Sequence, residues 1–373
     1  MHWNIYRLRL ESDSQSLAPR NRSMTHPSPQ TPSYVEQLIP FTTADGFELN
    51  LIRVRGEKPP TRGPVLLVHG AGVRANLFRA PVETNFVDAL IAAGYDVWME
   101  NWRASIDLPP NLWTLDQVAL YDHPAAVKKV VEETGCDTVK AVIHCQGSTS
   151  FMMSLIAGLV PQVDTVVSNA VSLHTIVPQW AAFKLRYVVP PVRWLTEYVN
   201  PHWGVCAPTL TAKLITGIVR LSHHECDNTV CKMVSFTYGS GRPALWRHEN
   251  LNGATHDWIK NEFGHVPLSF FRQMSRCVRR KHLVAVDGLE GLPEDFAARE
   301  PQTKARIAFF AGKENRCFLP VSQLESHRHF CSFGRRDHTL HVIPGYSHLD
   351  VFIGKNAARD VFPLMLKELD QGA

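Results

Sequence analysis

The chain contains no run of about 18 apolar residues, the length a helix needs to cross a bilayer, so no transmembrane helix is expected. Its N-terminus lacks the basic-then-apolar order of a secretory leader. An excess of one charge sign is also missing. The 39 basic residues stand against 35 acidic ones, a formal net charge of +4 that is too even for nucleic acid as the main partner. A small molecule is expected instead. The eight cysteines lack the dense, regular spacing of a disulfide framework, which fits a reducing, cytoplasmic compartment. Apolar patterning is absent from residues 1–34, where Pro19, Pro27, Pro29 and Pro32 among many Ser, Thr and Gln describe a disordered tail with Met24 as an alternative start.

What is present is enough to bury a large core: 373 residues with 45% hydrophobic content, read as one elaborated domain. Two β-rich runs, Val35 to Thr43 and Phe47 to Val54, flank the turn dipeptide Asp45-Gly46 and predict an antiparallel hairpin. Pro64 to Val68 is a continuous apolar run, the signature of a strand buried on both faces. A helix at Val82 to Ala93, a strand at Tyr95 to Glu100 and a helix at Leu115 to Glu133 follow. Further strands are read at Val139 to His144, Val163 to Val171, Ala305 to Ala311 and Leu340 to Ile343. Strands alternating with helices imply an α/β fold with a doubly wound, mostly parallel sheet. The alternation stops at 173–301, which reads as an inserted helical cap between core segments 35–172 and 302–373. Five of the nine tryptophans, Trp180, Trp194, Trp203, Trp246 and Trp258, fall in this cap, as its own core or as the apolar wall of a cleft.

The stretch Val139-Lys140-Ala141-Val142-Ile143-His144-Cys145-Gln146-Gly147-Ser148 joins a buried strand to a helix through a sharp turn. This is the shape of a nucleophile elbow, in which small neighbours let strand and helix approach and the residue at the turn projects into the site. Cys145 holds the nucleophile slot, and Ile143 replaces an expected glycine. Acyl transfer through a covalent intermediate also needs a base, a group that orients the base, and donors facing the oxyanion. His348, on the loop after the last strand, is the candidate base, because imidazole titrates near neutrality. The orienting slot after the penultimate strand reads Ala311-Gly312-Lys313-Glu314-Asn315-Arg316. Asn315 fits it by spacing and Glu314 by chemistry, and both stay open. The backbone N–H groups of Ala71 and Gln146 are the candidate oxyanion donors. Gly70-x-Gly72-x-x-Ala75 also fits a dinucleotide-binding pattern, but that reading leaves the elbow and His348 unexplained, so no cofactor is expected.

With these residues in hand the chain resembles the α/β-hydrolase superfamily. Within it the likeness is to the acid lipase group and to the hydrolase domains found beside bacterial cholesterol oxidases. The resemblance covers most of Phe41 to Leu369 and rests on several pieces. They are His69-Gly70, Val97-Trp98-Met99-Glu100-Asn101 with Arg103, Tyr121-Asp122-His123-Pro124-Ala125, His144-Cys145-Gln146-Gly147, and His348-Leu349-Asp350 with Gly354. The family pattern has serine at the position of Cys145 and aspartate near Asn315, so this chain departs from it at two catalytic positions.

The resulting expectation is a cysteine-nucleophile hydrolase for a carboxylic ester or thioester with an apolar part. Acyl transfer through the same thioester intermediate is one alternative, and non-catalytic lipid or sterol binding is another. His223, His224, Cys226 and Cys231 gather within nine residues but complete no standard zinc spacing, so a pair of thiols is expected there and no metal centre. The basic run Arg272, Arg276, Arg279, Arg280 and Lys281 reads as a solvated helix face, with transient contact to a membrane surface as the other reading.

Overall fold

The computed structural model describes residues 34–171 and 173–371. The expected disordered tail, apart from Tyr34, lies outside the described residues. The chain turns at Asp45-Gly46 as its composition predicts, with Gly46 at φ +82°, and β1 (Val35–Thr42) pairs antiparallel with β2 (Glu48–Arg55) across it. β3 (Pro64–Val68) is buried at every residue, as its unbroken apolar run requires. β4 (Asp96–Asn101), β5 (Val139–His144) and β6 (Val163–Asn169) follow, then a short antiparallel pair, β7 (Tyr198–Val199) with β8 (Val266–Pro267), inside the insertion. β9 (Arg306–Gly312) and β10 (Thr339–Ile343) complete the main sheet.

That sheet has eight strands in the order β1-β2-β4-β3-β5-β6-β9-β10. β2 runs antiparallel to β4, and from β4 onward every pairing is parallel. β3 sits between β4 and β5, with Leu66 opposite both Trp98 and Ala141. Loops that leave the carboxyl ends of β3, β5, β9 and β10 therefore open on one edge of the sheet, where ligands bind in open α/β folds.

Two helices differ from expectation. The first begins at Phe86 and ends at Ala92, not Val82 to Ala93, because Asn85 and Asp88 form a reciprocal capping box that fixes its start. The second, Leu115 to Thr134, is interrupted by a π-helical turn at Val118–Asp122 that leads into the helix His123–Thr134. Pro124 sits in the first turn of that last segment, where its missing N–H costs least.

The motif residues around this turn are buried and paired with one another. Arg103, 3% exposed, grips the fully buried Asp122 through Nε and its backbone N–H at 2.8 and 3.0 Å, and also pairs with Asp45. His123 bridges Glu100, 3.0 Å from Nδ1, and Ser150 on the elbow helix, 2.8 Å from Nε2. These polar side chains brace the underside of the elbow and do not enter the cleft above it.

The insertion consists of helices, chiefly Gln179–Phe183 with its continuation to Val192, Leu210–Ser222, Thr229–Thr237 and Leu268–Arg280. It is tied to the loop after β3 by the Arg74–Glu262 ion pair and by two bonds to backbone carbonyls. Gly264 N–H donates to the Gly72 carbonyl (3.0 Å), and the Tyr238 hydroxyl donates to the Ala71 carbonyl (3.1 Å). The basic run on Leu268–Arg280 is exposed, as a solvated face would be. Among the described residues no helix is long and apolar enough to cross a membrane.

Candidate active site

The elbow forms because β5 ends at His144 in extended backbone and Cys145 turns into the left-handed region at φ +58° before the helix Cys145–Ile156 begins. For a residue with a β-carbon this conformation costs about 1–3 kcal/mol and persists only where the surroundings enforce it. Gly147 makes the turn possible. A β-carbon there would fall 2.1 Å from the His69 carbonyl oxygen. Gly147→Ala is therefore expected to push helix and strand apart and to lower stability by about 1–3 kcal/mol or more, measured by denaturant unfolding.

Cys145 is 9% exposed and its sulfur lies within 4.8 Å of a ring nitrogen of His348. Burial works against charge on this sulfur. The Cys317 thiol, the His348 ring and the Gln146 N–H outweigh it and hold Cys145 well below an ordinary thiol, while Cys317 is pushed well above. Gly70 approaches the same residue, since a β-carbon on Gly70 would sit 3.0 Å from the Cys145 β-carbon. The loop that carries Ala71 thus runs beside the sulfur, and the Gln146 N–H faces it.

Asn315, at the end of β9, lies 3.1 Å from His348 Nδ1 through its amide nitrogen. Its oxygen is already committed, because Oδ1 accepts the backbone N–H groups of Cys317 (2.9 Å) and Phe318 (3.2 Å). Turning the amide over would set its NH₂ against two N–H donors, so the nitrogen must face the imidazole. Nδ1 of His348 then accepts, and the ring proton sits on Nε2, the edge toward Cys145. Glu314 contributes only backbone here: its N–H bonds to Tyr346 and its carbonyl to the Ser347 hydroxyl, while its carboxylate faces Arg247. His69 and His144 are buried neighbours of the site. Burial holds the first at about 3 and the second well below its ordinary value, so both are neutral.

An apolar cleft of about 120 Å³ opens over Cys145. Its wall is aliphatic and phenylalanine-rich, including Val177, Leu185, Val188, Phe236, Phe271 and Met274. None of the five tryptophans considered for that wall lines it. Trp246 is core, whereas Trp180 and Trp194 point outward with 58% and 89% exposure. Sequence reasoning missed two polar groups at the cleft. Tyr238 steadies the Ala71 loop, and Lys184 donates to the Phe236 carbonyl, its pKa lowered to about 8 by burial. Lys184 follows Trp180 and Phe183 on an amphipathic segment, where a lysine looks like a solvated residue.

His223 and His224 stand apart from Cys226 and Cys231. His223 pairs with Glu225 and His224 bonds to the Leu221 carbonyl, so neither histidine joins the two thiols.

No family model matches the chain. Among curated proteins it is similar to lipase lipl-1 of Caenorhabditis elegans, 30% identical over 140 residues that cover 33% of this chain and 35% of that protein. Sterol esterase 2 of Saccharomyces cerevisiae is 28% identical over 133 residues, covering 31% and 25%. Gastric triacylglycerol lipase of Rattus norvegicus is 31% identical over 133 residues, covering 31% and 34%. The chain thus matches between a quarter and about a third of the length of these relatives. Solved structures agree over nearly the whole chain. A monoacylglycerol lipase of Paleococcus ferrophilus covers 88% of it with a TM-score of 0.56 at 13% identity, and all of that enzyme is matched. A carboxyl esterase of Bacillus coagulans covers 91% with a TM-score of 0.57 at 14% identity, with 99% of that chain matched. Identity this low fixes the architecture and nothing finer: the chain has the α/β-hydrolase fold.

Proposed function

We propose that this protein cleaves a carboxylic ester or thioester with an apolar part, through a covalent acyl intermediate on Cys145. The observation that carries the reading is a sulfur at the tip of the elbow, on the floor of an apolar cleft and within 4.8 Å of an imidazole held by Asn315. The similarity to a sterol esterase and to triacylglycerol lipases supports a lipid ester, and residues 173–301 serve as the cap that shapes the cleft. The exposed apolar residues of that cap, Trp180, Phe183, Trp194, Leu210 and Leu221 among them, support transient contact with a lipid surface. All eight cysteines are free, which supports work in a reducing compartment.

In this mechanism the Cys145 thiolate attacks the carbonyl carbon, and the oxyanion that forms is held by the Ala71 and Gln146 N–H groups. Collapse expels the leaving group as an anion, which takes its proton from solvent, and leaves an acyl thioester. Water then attacks the thioester carbonyl, its proton passing to solvent, and the second collapse releases the carboxylate and regenerates the Cys145 thiolate. Another acceptor in place of water would take the acyl group. With its proton on Nε2, which has no hydrogen-bond partner among the described residues, the imidazole is placed to donate toward the thiolate. Making imidazolium would bring an Nδ1–H against the Asn315 amide hydrogens. Leaving groups that depart without a proton, thiolates and phenolates, are therefore favoured over alkoxides.

The test is to incubate the full chain with p-nitrophenyl esters, alkyl esters and acyl-CoAs, with Cys145→Ala in parallel, following product release and intact mass. The reading requires an acyl adduct or turnover that Cys145→Ala loses, with thioesters and aryl esters ahead of alkyl esters. An adduct that clears only when an alcohol or thiol is added would make the protein an acyltransferase. Neither adduct nor turnover, or an unaffected Cys145→Ala, would overturn the reading in favour of lipid binding.

A further inference from the structure

The two cap thiols meet two other histidines. Cys226, Cys231, His248 and His256 each offer one ligand atom, and all four atoms lie within 4.8 Å of one another. The sulfur of Cys231 is 3.4 Å from His248 Nε2, and the two imidazoles cross edge to face with centroids 5.0 Å apart. His256 Nε2 is buried and makes no hydrogen bond among the described residues. We propose that these four side chains bind a zinc(II) ion in a tetrahedral Cys₂His₂ site.

The chemistry of the donor set favours zinc over the alternatives. Zinc takes thiolate sulfur at about 2.3 Å and imidazole nitrogen at about 2.0–2.1 Å, so its four ligand atoms stand roughly 3.3–3.8 Å apart. The observed spacing needs only a small contraction. Two thiolates and two neutral imidazoles carry two negative charges, which a divalent ion balances. A disulfide between Cys226 and Cys231 would account for the sulfurs but not for two imidazoles converging on them. Both cysteines are free thiols.

The surroundings are those of a built site. Asn228 accepts the N–H groups of Val230 and Cys231, which sets the start of the helix Thr229–Thr237, and its amide donates to the His256 carbonyl, joining both halves of the ligand set. The buried Trp246 indole N–H, which makes no other hydrogen bond, faces the Cys231 sulfur. Metal-bound thiolates and imidazoles are commonly held by such outer hydrogen bonds. The ligands come as Cys-x₄-Cys followed by His-x₇-His, and the wide histidine spacing arises because His248 opens a short turn and His256 lies on the next helix, Gly253–Trp258.

The site would also brace the active-site loop. Next to His248, the Arg247 N–H and the Asn250 amide both donate to Asp350 Oδ2 (3.1 and 2.7 Å), and the Leu349 N–H donates to the Leu245 carbonyl (2.7 Å). The segment pinned by the metal therefore grips the two residues that follow His348.

Metal content settles the matter independently of catalysis. The full chain, purified without chelating resin, should carry about one zinc ion per molecule by elemental mass spectrometry. Cys231→Ser and His256→Ala should lose that zinc, and Cys145→Ser should keep it, since His144, Cys145 and His348 form the other cluster of ligand-type side chains among the described residues. Misfolding of a ligand variant is controlled on the wild-type chain. Cobalt(II) added to chelator-stripped wild type should give thiolate-to-metal charge transfer with tetrahedral d–d bands. Substoichiometric zinc with no such spectrum, zinc undiminished in Cys231→Ser, zinc lost in Cys145→Ser, or a Cys226–Cys231 disulfide in the fresh protein would each overturn the proposal.

Discussion

An Asn315→Asp variant is expected to turn over esters at least about tenfold faster than the wild-type chain, roughly 1.4 kcal/mol of extra transition-state stabilisation, with the largest gain on alkyl esters. A carboxylate at this position could accept the Cys317 and Phe318 N–H groups that Asn315 Oδ1 accepts now. It could also accept from His348 Nδ1, which moves the ring proton off Nε2 and lets that nitrogen take a proton from the nucleophile and return it to the leaving group. The reverse change in a serine protease triad costs about 10⁴ in kcat, through the wrong tautomer. A thiolate needs a base less than a hydroxyl does, so the gain here is smaller. The same logic makes Cys145→Ser inactive on its own and partly active when combined with Asn315→Asp. The check is kcat/KM across an alkyl, aryl and thioester series for the four proteins. A folded Asn315→Asp with unchanged or lower activity on alkyl esters would mean that the amide orientation does not limit the reaction.

Arg103→Met is the substitution expected to cost most in stability, about 3–5 kcal/mol, because it strips the partner from a carboxylate that has no access to water. Burial raises Asp122 to about 6 even with the opposing pull of Arg103. The folded-state pKa lies above the unfolded one, so this group's contribution is fully present below the unfolded value near 3.8 and is lost as pH rises through about 6. Without the guanidinium the folded value rises further and the loss extends toward neutral and alkaline pH. Urea unfolding at several pH values should show the variant's deficit widening from pH 6 to pH 8, and Asp122→Asn in the same background should restore part of it. A deficit that stays flat with pH would place the effect in lost packing instead.

Much of the fold was legible because its strands are continuous apolar runs with punctuated ends. β3 to β6, β9 and β10 fall within a residue or two of where the pattern puts them. The interrupted helix before the elbow was not legible, since its π turn depends on how Asp122 and His123 are held from outside it. At the site, spacing alone picked out Asn315, and the structure brings it to His348. The direction of its amide is another matter. That is set by two backbone N–H groups downstream, which no side-chain pattern encodes. The cap thiols were visible while their histidine partners were not, because 17 residues separate Cys231 from His248 along the chain and only the folded insertion closes the gap. Of the two readings left open for the cap tryptophans, Trp246 takes the core one, while aliphatic residues and phenylalanines line the cleft and Trp180 and Trp194 are exposed.

The bonds from the insertion to the loop after β3 have a mechanical consequence for the proposed mechanism. Cys145, Asn315 and His348 stand just beyond the carboxyl ends of β5, β9 and β10 in one sheet. Residues of the insertion line most of the cleft, so an acyl chain of the proposed substrate would pass between it and the sheet. The insertion is bonded through Tyr238 and Gly264 to the carbonyls of Ala71 and Gly72, and through Glu262 to Arg74. On the proposed mechanism, a shift of the insertion that widened the cleft would pull on the same loop that carries the Ala71 N–H, coupling entry to the oxyanion donor.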